Sequence, residues 1–305
     1  MISFDKGYAL VVGIANYPKV NKLPSTVLKD AKDIKAILTN PYLCGYPSDQ
    51  VKLLIDNRAV AEEIRNNLRW LADEVGPNDT AIFFFSGHGG RIDGGPMAGN
   101  YLLPFDVNSQ DLQGSAIGSE EFTALLREIK AERLLVLFDC CYSGGTGETK
   151  SPVDDLPAFK AGLDEKYYER LGKGKGRVII ASSRSDEVSL VLPEMQNSLF
   201  THYLLKALSG EAKTQGDGLV RIFDVFDFVS DKVKEHQVQQ HPVCKAEIET
   251  NFPLSLYLGG QKSLKSETLS LENPVTETHT THVGRDSVAY RATIGTLTIN
   301  NRSDD

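Results

Sequence analysis

Short apolar runs separated by amphipathic segments constrain this chain most. Residues 8–14 (YALVVGI), 80–85 (TAIFFF), 133–138 (RLLVLF) and 177–181 (RVIIA) are apolar runs of strand length. A strand with one wet face alternates, whereas a continuous run is buried on both faces, as in parallel sheets. Residues 50–55 (QVKLLI) read as a further strand. Between these runs, residues 25–38 place Val27, Ala31, Ile34 and Leu38 at helical spacing. Residues 59–75 put Ile64, Leu68, Leu71 and Val75 on one face, and Gly76-Pro77-Asn78-Asp79 stops that helix. Residues 120–129 read as another helix. Strands spaced by helices predict an α/β fold, a mostly parallel central sheet with helices on both faces.

The pattern breaks at residues 143–176, which are rich in glycine and lysine and read as one long internal loop. Order then resumes with helices over 199–208 and 222–233 and a possible last strand over 252–258. All of this fits one continuing sheet, so residues 1–260 are expected to be a single domain. Residues 261–305 read as a linker and tail: Tyr290 is the only aromatic, and Ser, Thr, Glu and Asn are frequent. Within the tail, 288–300 alternates weakly and has strand propensity, and the wider segment 283–301 could add to a partner's sheet edge or stack with copies of itself.

Composition narrows the function classes. A formal net charge of −8 over 305 residues does not favour a nucleic-acid surface. No run approaches the roughly 18 apolar residues that cross a bilayer, so no membrane partner is expected. The first residues carry Asp5 and no small-residue cleavage site follows, so no signal peptide is read. Four cysteines, two of them the adjacent Cys140 and Cys141, do not make a disulfide framework, which points to the cytoplasm.

Two segments can carry chemistry. In residues 83–90 (FFFSGHGG) a buried strand runs into a glycine-flanked histidine, His88. In residues 135–145 (LVLFDCCYSGG) another ends in an acid, two cysteines and a glycine turn. Open parallel sheets carry their sites at the carboxyl ends of strands, where both groups stand. A thiol needs a base or a positive neighbour to become a thiolate near neutral pH, and the His88 imidazole is the natural candidate. Strand alternation turns Cys140 away from Cys141, so Cys140 reads as a packed thiol, with a redox partner as the minor alternative.

SGHG followed by DCCYSGG resembles the caspase-like cysteine peptidases of the metacaspase and prokaryotic orthocaspase branch, and implies a caspase-like fold. Asp139, Cys141, Tyr142, Ser143 and Gly144 fit the family form D-x-C-[HYF]-S-G, with Cys140 as x. His88 lies 53 residues upstream of Cys141, close to the roughly 50 of caspases. YALVVGIANY, LKDAKDI, YLLPFD, IIASSRSDE, SLFTHYLLKAL and QHP extend the likeness over most of residues 8–258. Departures are the missing QACRG form, Tyr142 where many metacaspases have histidine, and RIDGGPMAGNYLLPFD, with only Asp93 and Asp106, in place of an acid-rich calcium loop.

The resemblance implies Cys141 as nucleophile, His88 as general base or acid, and the N–H groups of Gly89 and Cys141 as the oxyanion hole. It places Asp30, Ser86 and Asp139 in an S1 pocket for Arg or Lys, and protein substrates with a basic P1 residue follow. Asp139 shares a strand side with Cys141, whereas Asp30 has Asp33 one turn along. Asp186 and Glu187 read as loop acids, with a pocket role as the alternative. Self-processing is expected within 143–176, with Arg170 and Lys175 as candidate sites, and the branch implies regulated proteolysis, stress, cell death or defence. No metal is expected: His202, His236 and His241 lack ligand spacing, and calcium is not expected to be strictly required. The tail is a candidate for self-association or a regulatory partner. Two alternatives stay open, a catalytically silent interaction module of the same fold and an enzyme with an acidic P1 preference.

Overall fold

A computed structural model of the protein describes residues 7–140, 153, 158–187, 189–212, 217–236, 238–256, 278–283, 286–293 and 296–300. The chain divides into two compact units, Met1–Gln261 and Lys262–Asp305.

In the first unit the strands are β1 (Gly7–Gly13), β2 (Val51–Ile55), β3 (Thr80–Gly87), β4 (Gly89–Ile92), β5 (Gly99–Leu102), β6 (Ile117–Gly118), β7 (Leu134–Cys140), β8 (Lys160–Ala161), β9 (Arg177–Ala181), β10 (Leu219–Arg221), β11 (Val243–Glu247) and β12 (Pro253–Leu256). The helices are α1 (Thr26–Thr39), α2 (Ala61–Glu74), α3 (Leu112–Ser115), α4 (Ser119–Glu128), α5 (Glu165–Leu171), α6 (Leu199–Lys206) and α7 (Ile222–Glu235). The central sheet has the order β11-β9-β7-β3-β1-β2. Its strands pair in parallel except β11, which joins the β9 edge antiparallel.

The apolar runs are continuous because each strand feeds two cores. Leu10, Val12, Phe83, Phe85, Val136 and Phe138 face α2, α4 and α5. Their alternates Ala9, Val11, Ile82, Phe84, Leu135 and Leu137 face α1, α6 and α7. This two-sided burial is what the runs predict. At Gly13 a Cβ would come within 2.6 Å of the Ala31 Cβ, so glycine there lets α1 press onto β1.

Three expectations need correction. The sheet does not continue to the end of the unit: β12 pairs with β10 in a separate two-stranded sheet, and β11 takes the edge instead. The region 143–176 is not wholly loop. From residue 158 onward it forms β8, on β4, and α5, because Tyr167, Tyr168 and Leu171 bury a full helix face despite the surrounding glycines and lysines. α6 ends at Lys206 and runs into a wider turn over Ala207–Glu211, where Gly210 has φ of 99°.

The second unit contains β13 (Thr278–Val283), β14 (Asp286–Thr293) and β15 (Thr296–Asn300) in one antiparallel sheet. Tyr290 is in register with His279 and Ile299. The strand propensity of the tail thus yields three strands where the sequence alone shows one weakly alternating segment.

Among the described residues, no helix is long and apolar enough to cross a membrane.

Candidate active site

The carboxyl ends of β3 and β7 lie side by side, with Ser86 in register with Asp139 and Gly87 with Cys140. Alternation fixes where the side chains go. Ser86 and Asp139 continue the series of Phe84 and Leu137, so they point toward α1 and α6. Cys140 continues the series of Phe138 and packs against the opposite core. Cys141 is the next residue and lies outside the described residues, as do Tyr142, Ser143 and Gly144.

His88 follows β3 and is buried. Its backbone N–H donates to the Tyr17 hydroxyl at 2.9 Å, and that hydroxyl donates to the Leu103 carbonyl at 3.0 Å. The Tyr17 ring lies 4.8 Å from the imidazole, tilted by 38°. Nε2 is 2.6 Å from the Asn21 carbonyl oxygen. A carbonyl only accepts, so Nε2 carries the hydrogen and Nδ1 keeps the lone pair. Burial lowers the imidazole to about 4, partly opposed by the bond to Asn21. The ring is therefore neutral near pH 7 and able to accept a proton through Nδ1.

Tyr17, the end of the YALVVGIANY run, and Asn21 belong to the loop after β1, and no side-chain pattern in the sequence marks either as a site residue. Asp56, the non-glycine residue with φ of 45°, holds the base of that loop. Its carboxylate accepts the N–H groups of Ala15 and Asn16 at 2.9 and 3.0 Å and the Asn16 side-chain amide at 2.7 Å.

Gly89 opens β4. A Cβ there would stand 2.7 Å from the Cys140 Sγ, so glycine is what lets the histidine turn pass the end of β7. Burial and then the neighbouring Asp139 push the Cys140 thiol up. That favours the unreactive protonated form.

The structure brings Asp30, Ser86 and Asp139 together on the α1 and α6 face, all with zero exposure. Asp139 Oδ1 accepts from the Ser189 hydroxyl at 2.6 Å. Its Oδ2 accepts from the Thr201 hydroxyl at 2.7 Å and from the Ser198 hydroxyl. Asp30 accepts the Ser198 backbone N–H, at 3.1 Å on Oδ1 and 3.4 Å on Oδ2. Burial, and then the adjacent Asp139, raise Asp30 to about 8, against hydrogen bonds from Asn197 and Ser198. No cation among the described residues contributes to holding it charged. The Ser86 hydroxyl is buried and has no hydrogen-bond partner among the described residues. Asp33, the neighbour liable to confusion with Asp30, is instead held by Lys29 at 2.6 Å and the Asn197 amide at 2.9 Å.

The remaining sequence candidates lie elsewhere. Arg170 sits inside α5 and pairs with Glu120 at 3.3 Å. Lys175 sits in the turn before β9, paired with Glu132 at 3.2 Å. Asp93 is bound by Arg91 at 3.1 Å and Lys160 at 2.6 Å, and Asp106 accepts the Ala61 N–H at 2.9 Å. Glu187 accepts the His241 N–H at 2.7 Å and lies 2.5 Å from His241 Nδ1, which ties the QHP segment to the loop after β9. Gln240 is buried beside it. It accepts the Leu190 N–H at 2.9 Å and donates to the Ser182 carbonyl at 3.0 Å, fixing the segment that carries Ser189.

Comparison with known proteins gives a consistent placement. The caspase domain of the peptidase C14 family matches residues 6–253. Metacaspase-1 of Saccharomyces cerevisiae (strain YJM789) is 34% identical over 148 residues, covering 45% of this chain and 33% of the yeast protein. Metacaspase-1A of Aspergillus terreus is 25% identical over 216 residues, covering 68% of this chain and 50% of that protein. The matches thus span a third to a half of the relatives' length. The crystal structure of protein GSU0716 from Geobacter sulfurreducens shares the fold, with a TM-score of 0.55 at 19% identity over 84% of this chain and 98% of that one.

Proposed function

The chain belongs to the caspase-domain family of cysteine peptidases, on the metacaspase branch, and from that premise we propose that it is an endopeptidase that cuts after Arg or Lys. Cys141 is the nucleophile in this reading. His88 takes the thiol proton through Nδ1 and later gives it to the leaving amine, while the Asn21 carbonyl holds the ring. The N–H groups of Gly89 and Cys141 receive the oxyanion.

One observation carries the basic preference: two acids, Asp30 of α1 and Asp139 of β7, are fully buried beside the Ser86 hydroxyl, which has no hydrogen-bond partner among the described residues. Buried acids are costly unless paired. A guanidinium or ammonium group from substrate would supply Asp30 with a counter-charge that no described residue provides, and Arg in particular matches paired acceptors. An acidic P1 side chain would bring a third carboxyl group against two buried acids.

The same reading includes self-processing, action in the cytoplasm and no strict calcium requirement. Asp93 and Asp106 are already engaged by Arg91, Lys160 and the Ala61 N–H, which supports the last point. The test is hydrolysis of a P1-varied library of fluorogenic peptide amides by the full chain, with Cys141→Ala as control. Turnover confined to Arg and Lys peptides, absent in the control, is expected. Hydrolysis after acidic residues overturns the pocket assignment, and no hydrolysis at all favours an interaction module.

A further inference from the structure

We infer that Ser189, Ser198 and Thr201 are positioning residues for this pocket: their hydroxyls fix Asp139 in one orientation and leave Asp30 as the carboxylate that receives the entering cation. The inference rests on the basic-P1 reading.

The two acids are held very differently. A carboxylate offers about four acceptor sites, and three hydroxyls already occupy Asp139. These donors come from two segments, the start of α6 and the loop that carries Ser189, and are themselves fixed. Ser198 caps α6, and its oxygen also accepts the Thr201 N–H at 3.1 Å, which sets its rotamer. Thr201 lies in the first turn of α6 and is buried. Ser189 is placed by the grip of Gln240 on Leu190. Asp139 therefore cannot swing toward or away from a ligand without breaking several buried hydrogen bonds.

Asp30 takes one backbone N–H, shared between its two oxygens, and side-chain contributions from Ser198, whose hydroxyl also serves Asp139, and from Asn197, whose amide also serves Asp33. Its side-chain donors are each shared with another acid, so Asp30 is the less firmly held of the two and the one open to a forked cation. Ser198 is the residue that touches both acids, through its N–H to Asp30 and its hydroxyl to Asp139. It sets their spacing.

The groups that face Asp30 define its response to pH. They are Asp139 from β7, Ser198 and Asn197 at the entry to α6, and, one turn along α1, Asp33 with its partner Lys29. Asp30 is raised to about 8 in this setting. An entering cation favours its ionised form, so binding of a basic side chain releases a proton below that pH. The Michaelis constant for an Arg peptide then falls as pH rises from about 6 and levels off beyond about 8.

The experiment compares full-length wild type, Thr201→Val, Thr201→Ser and Ser189→Ala on one Arg peptide amide across that pH range. Thr201→Val is nearly isosteric and removes only the hydroxyl. A hydrogen bond to a charged group accounts for roughly a tenfold to hundredfold effect. We expect KM to rise by about that factor in Thr201→Val with kcat little changed, and Thr201→Ser to restore it. Ser189→Ala, outside any helix, serves as a second probe if Thr201→Val does not fold. Unchanged KM in both hydroxyl-free variants overturns the inference while leaving the basic-P1 reading standing. So does a loss confined to kcat, or failure of serine to rescue. A wild-type enzyme that turns over neither Arg nor Lys peptides overturns both.

Discussion

Replacing Asp30 by asparagine should stabilise the protein while destroying its use of Arg peptides. The side chain is fully buried against a second acid, and burial and Asp139 raise its pKa to about 8. An unfolded aspartate titrates near 3.9. Asp30 therefore binds its proton more tightly in the folded chain than in the unfolded one. Its contribution to stability is complete below about pH 4, declines as pH rises and is lost above about pH 8. At 1.36 kcal/mol per pH unit, the ceiling on that loss is about 6 kcal/mol. Asparagine keeps the shape and an acceptor oxygen but never ionises. The assay is urea unfolding in a Cys141→Ala background, which prevents self-cleavage, at about pH 5 and about pH 8.5. Asp30→Asn should exceed the parent by at most about 1.5 kcal/mol at the lower pH and by about 2–5 kcal/mol at the higher. In the Cys141-intact chain the same substitution should abolish turnover of Arg peptides. A stability difference that does not change with pH, or a variant less stable than its parent at about pH 8.5, would refute the claim that a strained ionisation sits in this pocket.

The other expectations are simpler to read. Cys141→Ala and His88→Ala should each abolish peptide hydrolysis without altering circular dichroism, whereas Cys140→Ala keeps most activity; the reverse pattern would identify Cys140 as the nucleophile. Gly89→Ala should lower activity because its Cβ would lie 2.7 Å from the Cys140 Sγ, and overpacking costs about 1–3 kcal/mol. Adding Cys140→Ala leaves the next atoms at 3.5 and 3.6 Å, so the double variant should recover; additive losses would show that the clash is not the cause. Mass spectrometry of purified wild type should show no cut after Arg170, which is helical, or Lys175, which is ion-paired. A Cys141-dependent cut should follow Lys150, the one basic residue between 141 and 159; fragments ending at Arg170 would contradict this. Truncation after Gly260 should leave peptide hydrolysis intact while removing self-association or partner capture, and loss of hydrolysis would place the tail in the catalytic unit.

Much of the fold was legible because buried parallel strands leave unbroken apolar runs, and β1, β3, β7 and β9 all do. β11 was not, since an edge strand such as VCKAE is half-exposed and carries no such run. α5 was hidden by composition: Tyr167, Tyr168 and Leu171 act through burial, which glycine and lysine counts do not register. At the candidate site, Asp30, Ser86 and Asp139 were singled out through the family resemblance, and the structure places them together. The hydroxyls around Asp139 were not, because Ser189 and Thr201 reach it from 50 and 62 residues away and look locally like loop and helix-cap residues. The same holds for Asn21, which orients His88 through a main-chain carbonyl that no side-chain pattern can announce.

Strand parity ties these observations to the chemistry. β3 and β7 run in parallel register, and each presents alternate residues to two different cores. Ser86 and Asp139 therefore share the α1 face with Asp30, and the acids converge because α1 is drawn close over Gly13. Gly87 and Cys140 take the other parity. There the Cys140 sulfur is wedged against Gly89, and burial together with Asp139 keeps its proton on. A thiol held protonated is a poor nucleophile whatever base stands nearby. The adjacent cysteines are thus not interchangeable in the proposed mechanism: the register that buries the acids also keeps Cys140 protonated, and the mechanism assigns Cys141 as the thiol for the lone pair that Asn21 exposes on His88.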